Sequence, residues 1–81
     1  MNKILFFAHL RDVVGSESIE EEAKGKTVAE LKKNILEKYS ALNLDNVMTS
    51  INEEFSTDDE VIHEEDVVAF IPPVSGGWSN E

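Results

Sequence analysis

The pattern of apolar and polar positions in the first part of the chain predicts two strands separated by a helical turn. Residues 3–8 (Lys-Ile-Leu-Phe-Phe-Ala) form a short apolar run, and its length and aromatic content favour a strand. Residues 9–15 are typical of one helical turn that Gly15 stops. Residues 17–22 carry four glutamates and only Ile19 as an apolar anchor, which predicts an edge strand whose open side is protected by charge.

The strongest pattern is that of a helix beginning at Thr27. Thr27 and Glu30 have the spacing of a capping box, in which each side chain satisfies a free backbone N–H of the other residue. We expect the helix to end near Ser40. Its apolar residues recur at helical spacing and form one stripe, at Val28, Leu31, Ile35, Leu36 and Tyr39.

The second half of the chain predicts three further strands. Alternation over residues 47–51 predicts one strand, and the polar residues 52–54 predict a turn after it. Val61 and Ile62 predict a short strand. The last strand is expected over residues 67–71, because its apolar run meets Pro72-Pro73, which cannot continue a central strand.

This order of elements predicts an α+β fold of the β-grasp, or ubiquitin-like, type, with a mixed four- to five-stranded sheet packed on one main helix. Only the first and last strands are continuously apolar, so we expect them to be central and buried on both faces. One helix covers one face of such a sheet, so part of the other face should stay apolar and exposed until a partner docks there. The predicted domain spans residues 1–73, and residues 74–81 are predicted to form a flexible tail with Gly-Gly at 76–77.

Composition narrows the class of protein. A chain of 81 residues with 41 % apolar and 30 % charged residues is typical of one small globular domain. The longest apolar run is five residues, and residues 1–24 lack a signal-peptide pattern. There is no cysteine, which excludes disulfides and thiolate sites within this sequence, and we expect a cytoplasmic location.

The charges are divided unevenly between the two parts of the chain. Residues 1–38 contain seven basic and seven acidic residues, whereas residues 39–81 contain ten acidic residues and no lysine or arginine, which gives the net charge of −10. Such a chain is not expected to bind nucleic acid or an acidic membrane surface. Two interpretations stay open: the charge provides solubility, or it steers a basic protein partner onto the second part of the chain.

Four polar groupings are candidate sites, and each has a simpler structural interpretation. Gly25-Lys26-Thr27 has the end of a phosphate-binding loop but Glu20 where that loop needs glycine, so a turn and a helix cap are favoured. The segment His63-Glu64-Glu65-Asp66 lacks the histidine spacing of a zinc helix, so no metal site is assigned and a solvated turn is favoured. Asp58-Asp59 has no predicted cleft that could separate the two pKa values, and His9 is assigned no role.

The C-terminal tail indicates a function more specifically than any of these four groupings. Residues 72–77 (Pro-Pro-Val-Ser-Gly-Gly) follow directly from the last predicted strand. Two prolines favour an extended chain, and two glycines leave a segment without side chains that can enter a narrow channel of another protein. The chemistry of such a tail would be that of the backbone carboxylate at Gly77, which adenylation would turn into an acyl donor. A diglycine alone is weak evidence, because linkers commonly contain one.

Together these features resemble the small subunit of molybdopterin synthase, a family of ubiquitin-like sulfur carriers. The resemblance extends in register from about residue 2 to Gly77, and its most specific part is the tail. It is carried by residues 4–8, Val14-Gly15, Thr27-Val28-x-x-Leu31, Ile51-Asn52-Glu53-Glu54 and residues 66–77 (Asp-Val-Val-Ala-Phe-Ile-Pro-Pro-Val-Ser-Gly-Gly).

The resemblance implies a role in sulfur transfer. In that family, a separate activating enzyme adenylates the carboxylate of the terminal glycine and converts it to a thiocarboxylate. The tail then inserts into the large subunit and delivers sulfur to cyclic pyranopterin monophosphate, forming the dithiolene of molybdopterin. By this resemblance Gly77 carries the sulfur and Gly76 is the slim spacer beside it. The implied partner-binding residues are Ile71, as an apolar docking residue, and Pro72, Pro73, Val74 and Ser75, which would line the entry channel.

The resemblance also implies where the other components lie. The catalytic residues are expected on the large subunit, so this chain would be a sulfur-donating subunit without catalytic side chains of its own. ATP and magnesium are expected in the activating enzyme, and no cofactor is expected on this chain. The family arrangement is a heterotetramer, with two small subunits at opposite ends of a large-subunit dimer.

The sequence departs from the family after Gly77, where Trp78-Ser79-Asn80-Glu81 follow. With this extension Gly77 has a peptide bond and no carboxylate to adenylate. Three origins stay open: a protease removes the four residues, an expression vector added them, or the chain is a relative that has lost sulfur transfer. The alternative functions are a sulfur carrier for thiamine or cysteine synthesis and a ubiquitin-like interaction module without chemistry.

Overall fold

The computed structural model describes residues 1–73, which form a mixed five-stranded sheet with two helices. The strand order is β2-β1-β5-β3-β4, with β1 and β5 parallel and the other neighbouring pairs antiparallel. The elements in chain order are β1 (Asn2–Phe6), α1 (His9–Val14), β2 (Ser18–Glu21), α2 (Val28–Lys38), β3 (Met48–Ile51), β4 (Glu54–Ser56) and β5 (Val67–Ile71). The predicted β-grasp arrangement is therefore confirmed.

The two continuously apolar strands, β1 and β5, lie inside the sheet as predicted, but the expectation that both are buried on both faces is wrong for β1 and only partly right for β5. Ile4 and Phe6 are buried on one face, whereas Lys3 is exposed and Leu5 is partly exposed on the other. The reason is that only one face of the sheet lies against the core. On the open face of β5, Ala69 beside Leu5 is buried, but Val67 and Ile71 are partly exposed.

Helix α2 forms because its first turn and its apolar stripe both favour it. The Glu30 N–H donates to Thr27 Oγ1 at 3.2 Å, and the Thr27 N–H donates to Glu30 Oε1 at 2.9 Å, so the predicted capping box is confirmed. The helix ends at Lys38, whose ammonium forms an ion pair with Glu21 of β2. Leu36 does not belong to the buried stripe, since it is 37 % exposed.

The expected short strand at Val61 and Ile62 is wrong, and the strand lies earlier, at β4. Val61 makes only an isolated bridge to Thr27, while Ile62 is a fully buried core residue. β3 and β4 are joined by the two-residue loop Asn52-Glu53. Both loop residues have positive φ, the backbone conformation that lets two antiparallel strands connect in so short a distance.

The core lies between α2 and the sheet. Its central members include Phe6 and Phe70, whose ring centroids are 6.0 Å apart. A buried polar residue, Asn2, connects three loop groups to β1: its amide donates to the carbonyls of His63 and Asp66 at 2.8 and 2.9 Å and accepts from the Ala23 N–H at 3.1 Å. Within residues 1–73, neither helix is long and apolar enough to cross a membrane.

Candidate partner-binding face and the strand that leads to the tail

The face of the sheet opposite the core is apolar across three strands. Because side chains alternate along a strand, the register places Leu5, Ala69, Ser50 and Phe55 in one row across β1, β5, β3 and β4. Phe55 is 69 % exposed. The prediction that part of this face stays apolar and exposed is therefore confirmed.

These side chains line a shallow groove of about 570 Å³. Five of its nine lining residues are large and apolar, and Phe7 and Phe55 are the most exposed of these. An exposed apolar surface of this kind on a small domain marks an interaction site more often than a catalytic one. The lining residues are Leu5, Phe7, Ser50, Asn52, Glu53, Phe55, Val67, Ala69 and Ile71.

Strand β5 connects this groove to the tail. Ile71, the last residue of β5, lines the groove and is partly exposed, as an apolar docking residue must be. Pro73 is exposed, as a predicted partner-binding residue should be, whereas Pro72 is buried, which does not fit its predicted place in an entry channel. The other predicted site residues, Val74, Ser75, Gly76 and Gly77, lie outside the described residues, as does the whole of the predicted tail 74–81.

The start of β5 is held to the β3–β4 loop by one asparagine and one aspartate. Asn52 donates its backbone N–H to the Val67 carbonyl at 2.8 Å, and its side-chain oxygen accepts from the Val67 N–H at 3.0 Å. The Asn52 amide also donates to Asp66 Oδ1 at 2.8 Å. The loop that contributes Glu53 to the groove is thus fixed directly to the strand that leads to the tail.

The pKa of Asp66 lies below its ordinary value. The main cause is the His63 backbone N–H, which donates to Asp66 Oδ2 at 2.9 Å; partial burial opposes the shift, and the Asn52 amide adds to it. A carboxylate with a lowered pKa stabilises the fold above its ordinary pKa and loses that contribution as the pH falls through the lowered value.

We therefore expect Asp66→Asn to lower the free energy of unfolding by about 1–2 kcal/mol at neutral pH, because an amide group would face the His63 N–H or the Asn52 amide. The difference from the wild type should stay constant above the ordinary aspartate pKa and narrow as the pH falls below it through the lowered pKa. Urea unfolding at a series of pH values measures this. Asp45→Asn is the control, since the Asp45 carboxylate accepts no hydrogen bond within residues 1–73. A difference that is constant with pH would contradict the assignment.

The other polar groupings take structural roles. In Gly25-Lys26-Thr27, Gly25 has φ +83° and Thr27 caps α2, as the turn-and-cap interpretation requires. Asp58 pairs with Lys32 at 2.8 Å, while Asp59 accepts from the Thr57 hydroxyl at 2.5 Å, a contact that lowers the pKa of Asp59. The two carboxylates thus have separate partners and do not form an acid–base pair.

The two histidines lie at the surface. His9 is the exposed first residue of α1. His63 is exposed in the turn before β5, where its backbone N–H holds Asp66. Within residues 1–73, no three potential metal ligands of the His, Cys, Asp or Glu type are grouped together.

Sequence patterns did not identify Phe55 and Glu53 as parts of this face. The only available signal was an aromatic residue directly after the predicted turn at residues 52–54, two of which are glutamates. Without β4 in the prediction, Phe55 had no strand neighbours and could not be placed on a face.

Comparison with known proteins adds the family. The model of the ThiS family matches residues 4–77, which include all of the described sheet except the first two residues of β1. The chain belongs to the ThiS family. The matched range thus contains all the residues that line the groove and the sequence through Gly77.

Two curated relatives support this membership. The chain is 33 % identical over 81 residues to the molybdopterin synthase sulfur carrier subunit of Escherichia coli (strain K12), covering 95 % of this chain and 100 % of that protein. It is 31 % identical over 78 residues to the subunit of the same name from Arabidopsis thaliana, covering 93 % of this chain and 81 % of that protein.

The same fold occurs in a ubiquitin-like protein with another name. Small archaeal modifier protein 1 from Methanosarcina acetivorans superimposes with a TM-score of 0.79 at 22 % identity, covering 94 % of this chain and 95 % of that chain. At this identity the likeness concerns the fold alone, so the β-grasp architecture of a ThiS-family chain does not by itself fix its pathway.

Proposed function

We propose that this chain is the sulfur-carrier small subunit of a molybdopterin synthase. The observation that carries the proposal is the continuity of β5: the same strand lines the apolar groove with Ile71 and then runs into Pro-Pro-Val-Ser-Gly-Gly. A partner that docks on the groove would therefore lie next to the start of the tail. The sequence relatives that carry the name molybdopterin synthase sulfur carrier subunit support this pathway.

The proposed chemistry takes place on the backbone carboxylate of Gly77. The activating enzyme joins this carboxylate to the α-phosphate of ATP, supported by magnesium, and pyrophosphate leaves. Sulfide then attacks the carbonyl carbon and AMP leaves, which gives the thiocarboxylate. The sulfur finally bonds to a carbon of cyclic pyranopterin monophosphate in the large subunit in place of an oxygen substituent, and water cleaves the acyl–sulfur bond, which restores the Gly77 carboxylate. The carrier itself supplies no catalytic side chain and holds no cofactor in this scheme.

The proposed role of the groove is to dock the large subunit. Apolar side chains of the partner would cover Phe7, Phe55 and Ile71, which removes exposed apolar area from water. Gly76 and Gly77 would then enter the partner's channel, where the absence of Cβ atoms allows close approach. A heterotetramer with two carriers on one large-subunit dimer is the proposed assembly.

An intact mass of the chain, made without a tag in cells that contain its partners, tests the proposal. The scheme requires a free carboxylate at Gly77, so residues 78–81 must be removed. We expect a chain that ends at Gly77, with a fraction of molecules in which one oxygen is replaced by sulfur. Chains that all retain residues 78–81 and carry no sulfur would contradict the proposal.

The presence of Trp78 after the diglycine favours one second candidate, an interaction module that performs no sulfur chemistry. In that case Trp78 stays in the working protein and adds to the contact. Retention of residues 78–81 in the mass measurement, together with binding to a protein partner, would favour this candidate. A carrier for thiamine or cysteine synthesis would instead acquire sulfur at Gly77 but fail to deliver it to the molybdopterin synthase large subunit.

A further inference from the structure

The loop between β3 and β4 places an unusual residue type in a left-handed backbone conformation. Asn52 has φ +52° and Glu53 has φ +71°. Two-residue hairpin loops of this kind favour asparagine followed by glycine, because a Cβ atom is strained at positive φ. At Asn52 this backbone strain is offset by the hydrogen bonds that its side chain makes with Val67 and Asp66. Glu53 has no such compensation among the hydrogen bonds and ion pairs of residues 1–73.

Glu53 is also the only charged residue of the nine that line the groove. Its neighbours there are apolar side chains and the small polar residues Ser50 and Asn52. A partner that covers this face would take the Glu53 carboxylate out of water unless it supplies a positive charge opposite it. In that partly dehydrated setting a charge pair is stronger than at an open surface.

A second glutamate, Glu65, shows that positive φ alone does not place a residue in the groove. Glu65 likewise has positive φ, +69°, but it does not line the groove. A left-handed glutamate therefore does not by itself mark a contact site. What sets Glu53 apart is the coincidence of the same strain with a place in the apolar groove.

We propose that Glu53 is a partner-recognition residue, which accepts a salt bridge from a lysine or arginine of the protein that docks on the groove. The inference rests on the proposed function, because it takes the large subunit as that protein. The charge distribution favours a basic group on the partner: from residue 39 onwards this chain has ten acidic residues and no lysine or arginine. In this proposal the contribution of the carboxylate to binding offsets the backbone strain that a glycine at this position would avoid.

Binding to the purified large subunit, measured by calorimetry at low and high salt, tests this inference. The wild type is compared with Glu53→Gly, Glu53→Gln and Glu65→Gly, both as full chains and as chains processed to Gly77. Glu65→Gly is the matched control, since it removes the same charge and the same left-handed strain outside the groove. Thermal unfolding of each variant is followed in parallel.

We expect both glycine variants to raise the midpoint of thermal unfolding by roughly 4–8 °C, because each relieves a left-handed side chain. Glu53→Gly and Glu53→Gln should each weaken binding about 5- to 10-fold at low salt, and less at high salt, where the wild-type ion pair is screened. Glu65→Gly should leave the affinity within about twofold of the wild type.

The possible failures are distinguishable. If the wild type binds and Glu53→Gln binds equally well at both salt concentrations, the inference is wrong while the proposed function stands. If Glu65→Gly weakens binding as much as Glu53→Gly, the effect is general electrostatic attraction and the recognition role is overturned. If the wild type does not bind the large subunit at all, the proposed function is overturned, and this inference with it.

Discussion

Replacing Gly76 with alanine is expected to lower sulfur transfer about 100-fold or more while leaving the folded domain intact. In the proposed mechanism the two glycines occupy a channel in the large subunit, and a Cβ at position 76 would displace the reacting carbon of Gly77. Displacements of about 1 Å at a reacting centre are enough for losses of this size. Transfer is measured as conversion of cyclic pyranopterin monophosphate by the large subunit, with carrier that has already been converted to the thiocarboxylate.

The control for this experiment is Gly25→Ala, the same substitution in the folded part of the chain. A Cβ at Gly25 would meet no heavy atom within 4 Å, so its cost is limited to the strain of an alanine at φ +83°. That strain is about 1 kcal/mol, which a folded domain tolerates. Gly25→Ala should therefore be slightly less stable but transfer sulfur normally. Normal transfer by a soluble Gly76→Ala chain would point to the interaction module instead.

The elements that sequence patterns predicted correctly are those fixed by local chemistry. The last strand was predicted with the bounds that it has, residues 67–71. Its apolar run begins after the charged residues 64–66 and must end at the two prolines, which cannot continue a central strand. The start of α2 was likewise predicted by the capping box of Thr27 and Glu30. In both cases the residues that decide the structure lie within a few positions of one another.

The elements that were missed depend on residues distant in sequence. β4 forms because Phe55 lies beside Ser50 in a hairpin whose loop lacks the usual glycine, so no turn signal marked it. Ile62 is buried without belonging to a strand, because it packs into the core next to the loop before α2. The role of the tail stays a prediction from sequence, whereas the groove could be found only from the sheet register that brings four strands into one row.

Replacing Phe55 with aspartate is expected to weaken binding of the large subunit about 30- to 1,000-fold with little change in the stability of the free domain. The side chain is 69 % exposed, so it contributes little to the core, and a substitution there should change the free energy of unfolding by about 0.5 kcal/mol or less. In the complex the same ring, which lines the groove, would be buried against the partner. Large aromatic anchors in such positions contribute about 2–4 kcal/mol to binding.

Val61→Asp is the matched control for Phe55→Asp. Val61 is also apolar and 43 % exposed, but it lies outside the groove, so its replacement adds the same charge to the same acidic part of the chain without touching the docking face. Binding by calorimetry and unfolding by urea are measured for both variants. Equal loss of affinity in the two would mean that added negative charge, rather than the loss of an apolar anchor, weakens the complex. If only Phe55→Asp loses affinity, the open face of the sheet is the docking surface, and its position beside Ile71 then explains how docking brings the tail to the partner's channel.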